Sequence, residues 1–415
     1  MALKKTASKN YTLNFEKDSF ITQSMMPNGN VLEVGPFYAS YSTHMPIENY
    51  SPTFIQRIDS FLYLWKSNDY VYKTKFSSLE WTSKNIYSSM PKVIRVKDLG
   101  KEVDLIFNSS LAEIVGQGVV TLRGKRYTLC EVFNDTFFTS DGKDLYFSNK
   151  FTDGTVSDNL FACNFIKIDD IYGKVLFLHG YNKTLYLVCE KAVLTLNVGE
   201  SLSDYKFTNV VDEGFTIQER SICADGKCVY FISGNFLYCY DGKKLTQKKF
   251  FPQGETMLYR GKASIVDGYY LCSGQLKPLG LSCGWYYDLL TDKKGMVEIM
   301  DVYADKGGHA YSKEKNIIRR FVRKTTIEYA NCLFQSKALN FGSNLIKRLS
   351  LIEFSSEEKL ILTVSGDFGS EDFTIEGFTQ IKCNLISRAF TFSFKCEGKC
   401  LPLKDLKLKY NVLGE

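Results

Sequence analysis

The stretch Asp225–Leu245, DGKCVYFISGNFLYCYDGKKL, holds two short apolar and aromatic segments separated by Ser-Gly-Asn, with an Asp-Gly pair near each end. Branched and aromatic side chains fit a pleated strand, whereas Gly, Asn and Asp suit the tight turn that joins two strands. The stretch therefore predicts a β-hairpin. The fold of the chain depends on how often this pattern recurs.

The hairpin pattern recurs through most of the chain. Short segments in which apolar residues alternate with polar ones are separated by turns rich in Gly, Asn, Asp and Lys. Such segments lie at 61–65 and 70–72, 119–122 and 127–129, 136–139 and 145–147, 175–198 as three strands, 228–240, 263–272 and 284–290. Asp-Gly pairs, each of which predicts a turn, begin at Asp141, Asp153, Asp225, Asp241 and Asp267.

Helical periodicity is weak, and the two best helix candidates, 201–207 and 312–324, are both short. We therefore predict an all-β chain built from meanders of about 40–50 residues. This spacing favours an irregular β-propeller, in which small sheets stack around an axis. A pair of β-sandwiches would give similar spacing.

The chain divides into three predicted domains: an extended N-terminal arm over 1–50, a propeller-like domain over 51–327 and an added C-terminal β-sandwich over 328–415. Residues 81–107 and 334–364 share an aromatic residue, a Ser-Lys pair and two strands that each follow a lysine. This similarity predicts an internal duplication, with a small β-module at about 75–110. The regular alternation of Phe390, Phe392 and Phe394 supports the C-terminal sandwich.

The bulk composition is that of a globular protein. The 415 residues are 44% hydrophobic and 24% charged, and the net charge is +6. This charge is small and scattered for a dedicated nucleic-acid binder. No apolar run approaches the roughly 18 residues of a membrane-spanning helix. The first residues lack the apolar core of a secretory signal, so neither a signal nor a membrane segment is expected.

The chain has 12 cysteines, many of them at apolar positions of predicted strands. We expect most of them to be reduced, buried thiols. Cys223 and Cys228, and also Cys396 and Cys400, flank tight turns, so each pair could lie across two strands. No second Cys-x-x-Cys or nearby His completes a zinc site, and no metal or other cofactor is predicted.

No catalytic motif is evident. The three histidines, His44, His179 and His309, do not accompany a nucleophile motif, and we expect satisfied structural roles. Adjacent acids such as Asp169 and Asp170 point to opposite faces of a strand, which suits solvated turns better than the facing carboxylates of a glycosidase. The chain is therefore predicted not to be an enzyme.

Basic residues are the candidate contacts with partners or DNA. The densest cluster contains Arg319, Arg320, Arg323 and Lys324, and a second group near the N-terminus contains Lys4, Lys5 and Lys9. Charges of this kind could contact phosphates or an acidic neighbouring subunit, although a solvated face is the simpler interpretation.

The order of the strand segments resembles the tail nozzle, tail hub and DNA-stabilisation proteins of tailed bacteriophages. The resemblance rests on a basic N-terminal arm followed by FNDTFFTSDGKDLYFSNKF (133–151), LFLHGYNKTLYLVCEKAVLTL (176–196), CVYFISGNFLYCYDGKKL (228–245) and KRLSLI (347–352). It implies an irregular propeller with added β-domains, assembled as a ring, often of six copies, below the portal and adaptor. No catalytic residue is implied.

The expected function is therefore a structural part of a bacteriophage tail, assembled in the bacterial cytoplasm and lining the DNA channel. Its partners would be copies of itself, portal, adaptor and other tail proteins, and genomic DNA bound without sequence preference. The alternatives are a receptor- or carbohydrate-binding tail module, a propeller-fold glycoside hydrolase and an unrelated intracellular scaffold. Trp65, Trp81 and Trp285 lie in strand patterns and are expected in the core, which disfavours a sugar platform.

Overall fold

A computed structural model describes most of the chain. The residues outside the described part are 1–4, 15–18, 24, 29–30, 35–36, 45, 47–51, 53, 59, 67–68, 76–79, 88–91, 99–100, 109–110, 115–117, 122–126, 152–163, 251–255, 260, 278–280, 298–302, 305–309, 315–316, 324–331, 397–402 and 414–415. Within some strands only the backbone is described. The chain forms two compact units, one of residues 41–282 and 300–320 and one of residues 1–40, 283–299 and 321–415.

The N-terminal segment is extended, as the sequence predicts, and forms five strands. These are β1 (Lys5–Thr12), β2 (Ser19–Gln23), β3 (Met25–Asn28), β4 (Val31–Val34) and β5 (Phe37–His44).

Five consecutive four-stranded antiparallel sheets form the blades of a β-propeller. Blade 1 contains β6 (Phe54–Ile58), β7 (Phe61–Trp65), β8 (Asp69–Lys75) and β9 (Thr82–Tyr87). Blade 2 contains β10 (Lys92–Asp98), β11 (Lys101–Asn108), β12 (Leu111–Ile114) and β13 (Gly118–Thr121). Blade 3 contains β14 (Leu129–Phe133), β15 (Thr136–Ser140), β16 (Leu145–Phe147) and β17 (Asn164–Ile166). Blade 4 contains β18 (Val175–Tyr181), β19 (Thr184–Cys189), β20 (Val193–Asn197) and β21 (Lys206–Val211). Blade 5 contains β22 (Cys223–Asp225), β23 (Cys228–Ser233), β24 (Phe236–Tyr240) and β25 (Leu245–Lys249).

Helical structure in the described residues is confined to three short 3₁₀ turns, at Asp170–Tyr172, Leu202–Asp204 and Glu219–Ser221. The next strands are β26 (Thr256–Tyr259), β27 (Ser264–Val266), β28 (Tyr269–Lys277), β29 (Leu281–Asp288), β30 (Lys294–Val297), β31 (Tyr303–Ala304), β32 (Ala310–Glu314) and β33 (Ile317–Arg323). β26 and β27 pair with β28, and a further four-stranded sheet has the order β31-β32-β33-β5.

The first strands of successive blades are neighbours, which is the arrangement of a propeller. β6 lies beside β10, β10 beside β14 and β14 beside β18. Blades 4 and 5 are joined by hydrogen bonds between His179 and the Gly226 carbonyl and from the Tyr186 hydroxyl to the Lys227 carbonyl. β22 lies beside β27, and β27 lies beside β32. β31, which pairs with β32, lies beside β6 of blade 1, so the circle of neighbouring sheets closes.

A blade between two neighbours buries both of its faces. In β19, Leu185 and Leu187 pack into a core shared with blade 3, whereas Tyr186 and Val188 pack into a core shared with blade 5. All four side chains are buried. This explains why the segment around Leu185 reads as a continuous apolar run, because alternation with polar residues requires one solvated face.

Tight turns join the strands within blades. Asn134-Asp135 and Asn182-Lys183 each have two positive φ angles, as a two-residue type I′ hairpin requires. The Asp-Gly pairs at Asp141, Asp225, Asp241 and Asp267 lie at turns, which confirms four of the five predicted positions, and Asp153 lies outside the described residues.

The second unit is built on a sheet of the last strands. These are β34 (Cys332–Ser336), β35 (Lys347–Gly366), β36 (Gly369–Lys382), β37 (Ile386–Ser387), β38 (Thr391–Cys396) and β39 (Leu403–Leu413). β35 pairs with β36 along one edge, and along the other edge with β39 in its first half and with β38 in its second half. The result is one strongly curled sheet in place of the two separate sheets of the predicted sandwich.

The first four strands of the predicted N-terminal arm, β1 to β4, belong to this curled sheet, whereas β5 belongs to the sheet of β31, β32 and β33. β1 pairs with β39, β2 with β34 and β4 with β39. Leu13 is fully buried in the same core as Phe392, Phe394 and Leu408. The buried alternation predicted from Phe390 onwards is confirmed.

One predicted strand pairing is wrong, and neither helix candidate forms an α-helix. Segments 119–122 and 127–129 do not pair, because β13 ends blade 2 and β14 begins blade 3. The helix candidate at 312–324 lies in the hairpin of β32 and β33, in which Tyr311 lies opposite Arg320. The segment 201–207 contains only one 3₁₀ turn before β21.

The predicted duplication does not correspond to a repeated structure. The first copy forms the antiparallel pair β10 and β11, whereas both strands of the second copy lie within the single strand β35. The region 75–110 supplies the last strand of blade 1 and the first two strands of blade 2.

A buried ion network joins blades 1 and 2. The Asp104 carboxylate, 7% exposed, accepts hydrogen bonds from the Tyr63 hydroxyl, from Lys73 Nζ at 2.9 Å and from Arg95 Nη2 at 2.6 Å. Burial alone would raise the pKa of Asp104, but the three hydrogen bonds and the Lys73 charge outweigh it and hold the pKa below its usual range.

Asp104→Asn is expected to destabilise the protein by about 3 kcal/mol, because it leaves two partly buried cations without a counter-charge. The measurement is denaturant unfolding. Since the pKa of Asp104 is lowered in the folded state, its contribution is present above about pH 4 and is lost as the pH falls through the folded pKa. The difference between wild type and variant should therefore shrink in acid. The control Glu102→Gln, at a residue 62% exposed and 3.9 Å from Arg95, should change stability by less than about 1 kcal/mol.

Gly180→Ala is expected to cost about 1–3 kcal/mol of stability. A Cβ at Gly180 would lie 2.1 Å from Cγ of Phe133, so blades 3 and 4 could not keep their spacing. Combining it with Phe133→Ala should cost less than the sum of the two single changes, as thermal unfolding would show. Gly226→Ala is the control, because its Cβ would meet Tyr181 at an ordinary 3.7 Å. Equal losses at both glycines would contradict this account.

Candidate interaction surface

The basic residues singled out in the sequence do not form one surface. Arg319 and Arg320 are adjacent on β33, and adjacent side chains of a strand point to opposite faces. Arg320 is half-buried and Lys9 is exposed on β1. Lys4 and Lys324 lie outside the described residues, and for Lys5, Arg319 and Arg323 only the backbone is described.

In the described part of the second unit, several apolar side chains are exposed on the hairpin of β35 and β36, which we call the long hairpin. Phe368 at its tip is 78% exposed, Phe378 on β36 is 69% exposed and Ile361 on β35 is 45% exposed. The opposite face of β35 is buried, through Ile352, Leu362 and other even-numbered residues. The hairpin therefore has one face in the core and apolar side chains on its solvent side.

The tip of the long hairpin is held in place. The backbone N–H of Asp367 donates to Ser387 Oγ at 2.9 Å, and the Asp367 carboxylate accepts from the Arg388 N–H at 2.9 Å. The hydrogen bond from the Arg388 backbone and a hydrogen bond with the Ser387 side chain lower the pKa of Asp367. A Cβ at Gly366 would lie 2.8 Å from Ser387 Cβ, so the turn packs closely. Phe368 is thus presented from a braced turn.

A buried lysine supports the same turn. Lys347 is fully buried, and its ammonium donates to the carbonyls of Ser343, Leu345 and Arg388 at 2.5–2.7 Å. A buried charge is stable only when it is fully hydrogen-bonded, and three carbonyls match the three donors of an ammonium. Lys347 therefore ties the start of β35 to the turn that braces the tip.

Charge differs between the two sides of the curled sheet. On β36, the carboxylates of Glu371, Asp372 and Glu376 and the ammonium of Lys382 are exposed, which leaves the strand with a net negative charge. On the far side of the sheet, Lys9 of β1 and Lys407 and Lys409 of β39 are exposed. Because β35 and β39 separate β36 from β1, the sheet has an acidic side and a basic side.

Charged groups near the propeller axis have partners within the protein. Lys92 Nζ donates to the Cys130 carbonyl at 2.5 Å and lies 3.8 Å from Glu131. Arg220 donates to the Tyr259 carbonyl at 3.2 Å. The Lys262 side chain is exposed. Its pKa is lowered by desolvation against the surrounding protein and by the positive charges of Lys92 and Arg220. Lys92 thus links β10 to β14, and Arg220 links the 3₁₀ turn at Glu219–Ser221 to β26.

The acids and His179 have structural roles. Asp169 accepts from the Ile171 N–H, and Asp141 and Asp241 each accept two backbone N–H groups of their own turns. His179 lies within β18, and its Nε2 donates to the Gly226 carbonyl at 3.1 Å. Burial lowers the pKa of His179, which favours the neutral ring. The expected satisfied histidine and turn acids are confirmed at these positions, whereas the side chains of His44 and His309 are not described.

Two of the three tryptophans are buried, Trp65 and Trp285, and Trp81 packs partly buried against the core of blade 1, as expected. Among the described residues, no His, Cys, Asp or Glu group is placed to hold a metal, and no helix could span a membrane.

The seven cysteines whose side chains are described are free, and all but Cys239 are buried: Cys130, Cys189, Cys223, Cys228, Cys239, Cys272 and Cys383. Cys223 of β22 and Cys228 of β23 lie on two paired strands, as the sequence suggests, but they are not directly opposite each other, because Cys223 lies opposite Tyr230 and Cys228 opposite Asp225. Cys228 instead contacts Cys239 of β24. Hydrogen bonds from Cys228, Tyr230 and Thr246 outweigh burial and lower the pKa of the Cys239 thiol.

The comparisons with known proteins add no identity. No family model and no curated protein matches the chain. Among the solved structures that match, a streptogramin B lyase is 9% identical, with 70% of this chain and 98% of that chain covered and a TM-score of 0.49. The computationally designed Ika8 protein is 8% identical, with 68% and 99% covered and a TM-score of 0.45, and a chain of a mitotic checkpoint complex is 9% identical, with 72% and 96% covered and a TM-score of 0.44. The class of the protein, a β-propeller with an added curled sheet, rests on its strand topology.

Cys239 is expected to be alkylated faster than the other described cysteines in the native protein, because the thiolate is the nucleophile and its thiol is half-exposed with a lowered pKa. Peptide mass spectrometry after brief iodoacetamide treatment measures this. Cys189, buried with its pKa raised to about 12, is the internal control and should stay unmodified. Comparable labelling of both would contradict the assignment.

Proposed function

We propose that the protein is a non-catalytic structural subunit of a bacteriophage tail, in the nozzle or hub region, and that it joins its neighbours through the long hairpin. The observation that carries the proposal is the pair of exposed rings, Phe368 and Phe378, on a hairpin whose turn is braced by Asp367 and Ser387. Exposed apolar side chains on a rigid element are typical of surfaces that a partner covers.

The order of strand segments in the sequence, which resembles tail nozzle and hub proteins, supplies the class of assembly. In such an assembly the subunits surround a channel, with portal, adaptor and other tail proteins as neighbours. Exposed lysines that face the channel would contact passing DNA through its phosphates without sequence preference. The proposed location is the tail of the virion.

A receptor- or glycan-binding tail module is the second candidate, because an aromatic ring at a projecting tip also suits that role. Phe368 is the residue that favours it. A module of this kind would bind a cell-surface glycan or protein as an isolated chain, whereas a structural subunit would be retained in particles.

The test is the copy number of the chain in virions and tail particles from the cells that produce it, measured by quantitative mass spectrometry. A fixed number of copies is expected. The double variant Phe368→Ser/Phe378→Ser should lower incorporation about tenfold, because it removes the apolar contact. Leu290→Ser is the control, since Leu290 is 91% exposed but lies off the hairpin.

Two results would contradict the proposal. One is absence of the chain from the particles. The other is a purified chain that binds or cleaves glycans and is incorporated equally well with and without the two rings.

A further inference from the structure

We propose that copies of this chain associate head to tail, with β36 of one copy pairing antiparallel with β1 of the next, so that the curled sheet continues from copy to copy. This inference rests on the proposed function, because it names the partner that the long hairpin meets. The occupant of the β36 edge is a second copy of this chain.

Both strands are open edges within the described part of the chain. β36, of 14 residues, pairs with β35, and β1, of 8 residues, pairs with β39, and neither has a partner on its other side among the described strands. An open edge presents a row of backbone N–H and C=O groups that can pair with another strand. The sheet therefore has two docking edges.

The strand directions suit a head-to-tail contact. Along the first half of β35 the order across the sheet is β36-β35-β39-β1, and every neighbouring pair in it is antiparallel. The acidic residues of β36 lie beside the second half of β35, which pairs with β38, so the two copies meet with an offset along the strands. Because the number of strands is even, β36 and β1 run in opposite directions. A second copy in the same orientation therefore places its β1 antiparallel to β36, as direct continuation of the sheet requires. Subunits of a cyclic ring all have the same orientation along the axis.

The charges select this pairing over pairing between like edges. Two β36 strands side by side would bring Glu371, Asp372 and Glu376 of one copy close to those of the other, and like charges across strands are destabilising. The β1 side offers Lys9, Lys407 and Lys409. Each edge therefore meets charges of the opposite sign only when the β36 edge of one copy meets the β1 edge of another copy.

The charges also match by face. Glu371 lies opposite Val364 and Lys9 lies opposite Tyr410, so both belong to the face of the sheet that carries the core. Asp372 lies opposite Thr363 and Lys409 opposite Asn10, so both belong to the outer face. The outer face also carries Ile361 and Phe378, which side chains of an added strand would cover.

A contact between two different surfaces of the same chain is heterologous. It closes into a ring when the rotation between copies divides a full turn, and otherwise forms a filament. The pairing by itself leaves the copy number open, so the measurement must report it.

The first test is charge reversal. The variant Glu371→Lys/Asp372→Lys/Glu376→Lys and the variant Lys9→Glu/Lys407→Glu/Lys409→Glu should each weaken self-association at least tenfold in sedimentation velocity. An equimolar mixture of the two variants should recover association, because reversed edges again meet opposite charges. The matched controls Asp170→Lys/Glu200→Lys/Glu213→Lys and Lys191→Glu/Lys206→Glu/Lys243→Glu change exposed charges on the propeller and should associate like wild type.

The second test locates the contact. A zero-length carboxyl-to-amine crosslinker is applied to a mixture of isotope-labelled and unlabelled chains, both free and within tail particles. Crosslinks between chains that join Lys9 to carboxylates of β36 are expected. Crosslinks that join β36 to β36, copies that stay monomeric in both settings, or equal association of the charge-reversed variants would overturn the inference.

The outcomes separate the two proposals. Particles that contain the chain but lack the crosslink between β1 and β36 overturn this inference and leave the proposed function standing. Chains that self-associate through β1 and β36 but are absent from tail particles overturn the proposed function and leave the inference standing.

Discussion

The second unit depends on one strand, β35, that pairs with β36 from Leu351 to Gly366 and changes partner on its other edge. Its first half pairs with β39 and its second half with β38, and the register with β36 shifts between Ser356 and Leu360. Such a bulge bends a sheet without exposing its inner face. Ile352, Phe354, Leu362 and other even-numbered residues face the core on both sides of the bend. The curl, the single core and the projecting hairpin all follow from this strand.

The propeller depends on a different constraint, the burial of both faces of its blades. Two buried faces require apolar side chains at successive positions, as in β19, and they leave few places for polar groups. Where a charge does lie between blades, it is fully paired, as Asp104 is by Tyr63, Lys73 and Arg95. The polar groups described above for this unit serve turns and blade contacts. Among the described phenylalanines the two most exposed, Phe368 and Phe378, lie on the other unit.

Local signals were sufficient for the all-β class and for hairpins such as β18–β20, where Asn182-Lys183 makes the turn between adjacent strands. These signals were insufficient where a strand pairs with another strand that is distant in the sequence. The segments at 119–122 and 127–129 have the composition of a hairpin, yet they end one blade and begin the next. The pairing of β1 with β39 joins the two ends of the chain, and no short window contains it. The open edge of β36 was missed for the same reason, because an edge is defined by all the other strands of its sheet.

The distribution of charge on the curled sheet is the strongest indication that its edges are meant to meet partners. Proteins protect open edges with charged side chains, since a charged edge resists pairing with a copy of itself. Protection alone would be satisfied by one sign of charge on both sides. Here Glu371, Asp372 and Glu376 lie on one side and Lys9, Lys407 and Lys409 on the other. This arrangement resists contact between identical edges, and it favours contact between different edges of two copies in one orientation. An antiparallel sheet with exposed carboxylates on one edge strand and exposed lysines towards the opposite edge is therefore suited to ordered addition of copies in one direction.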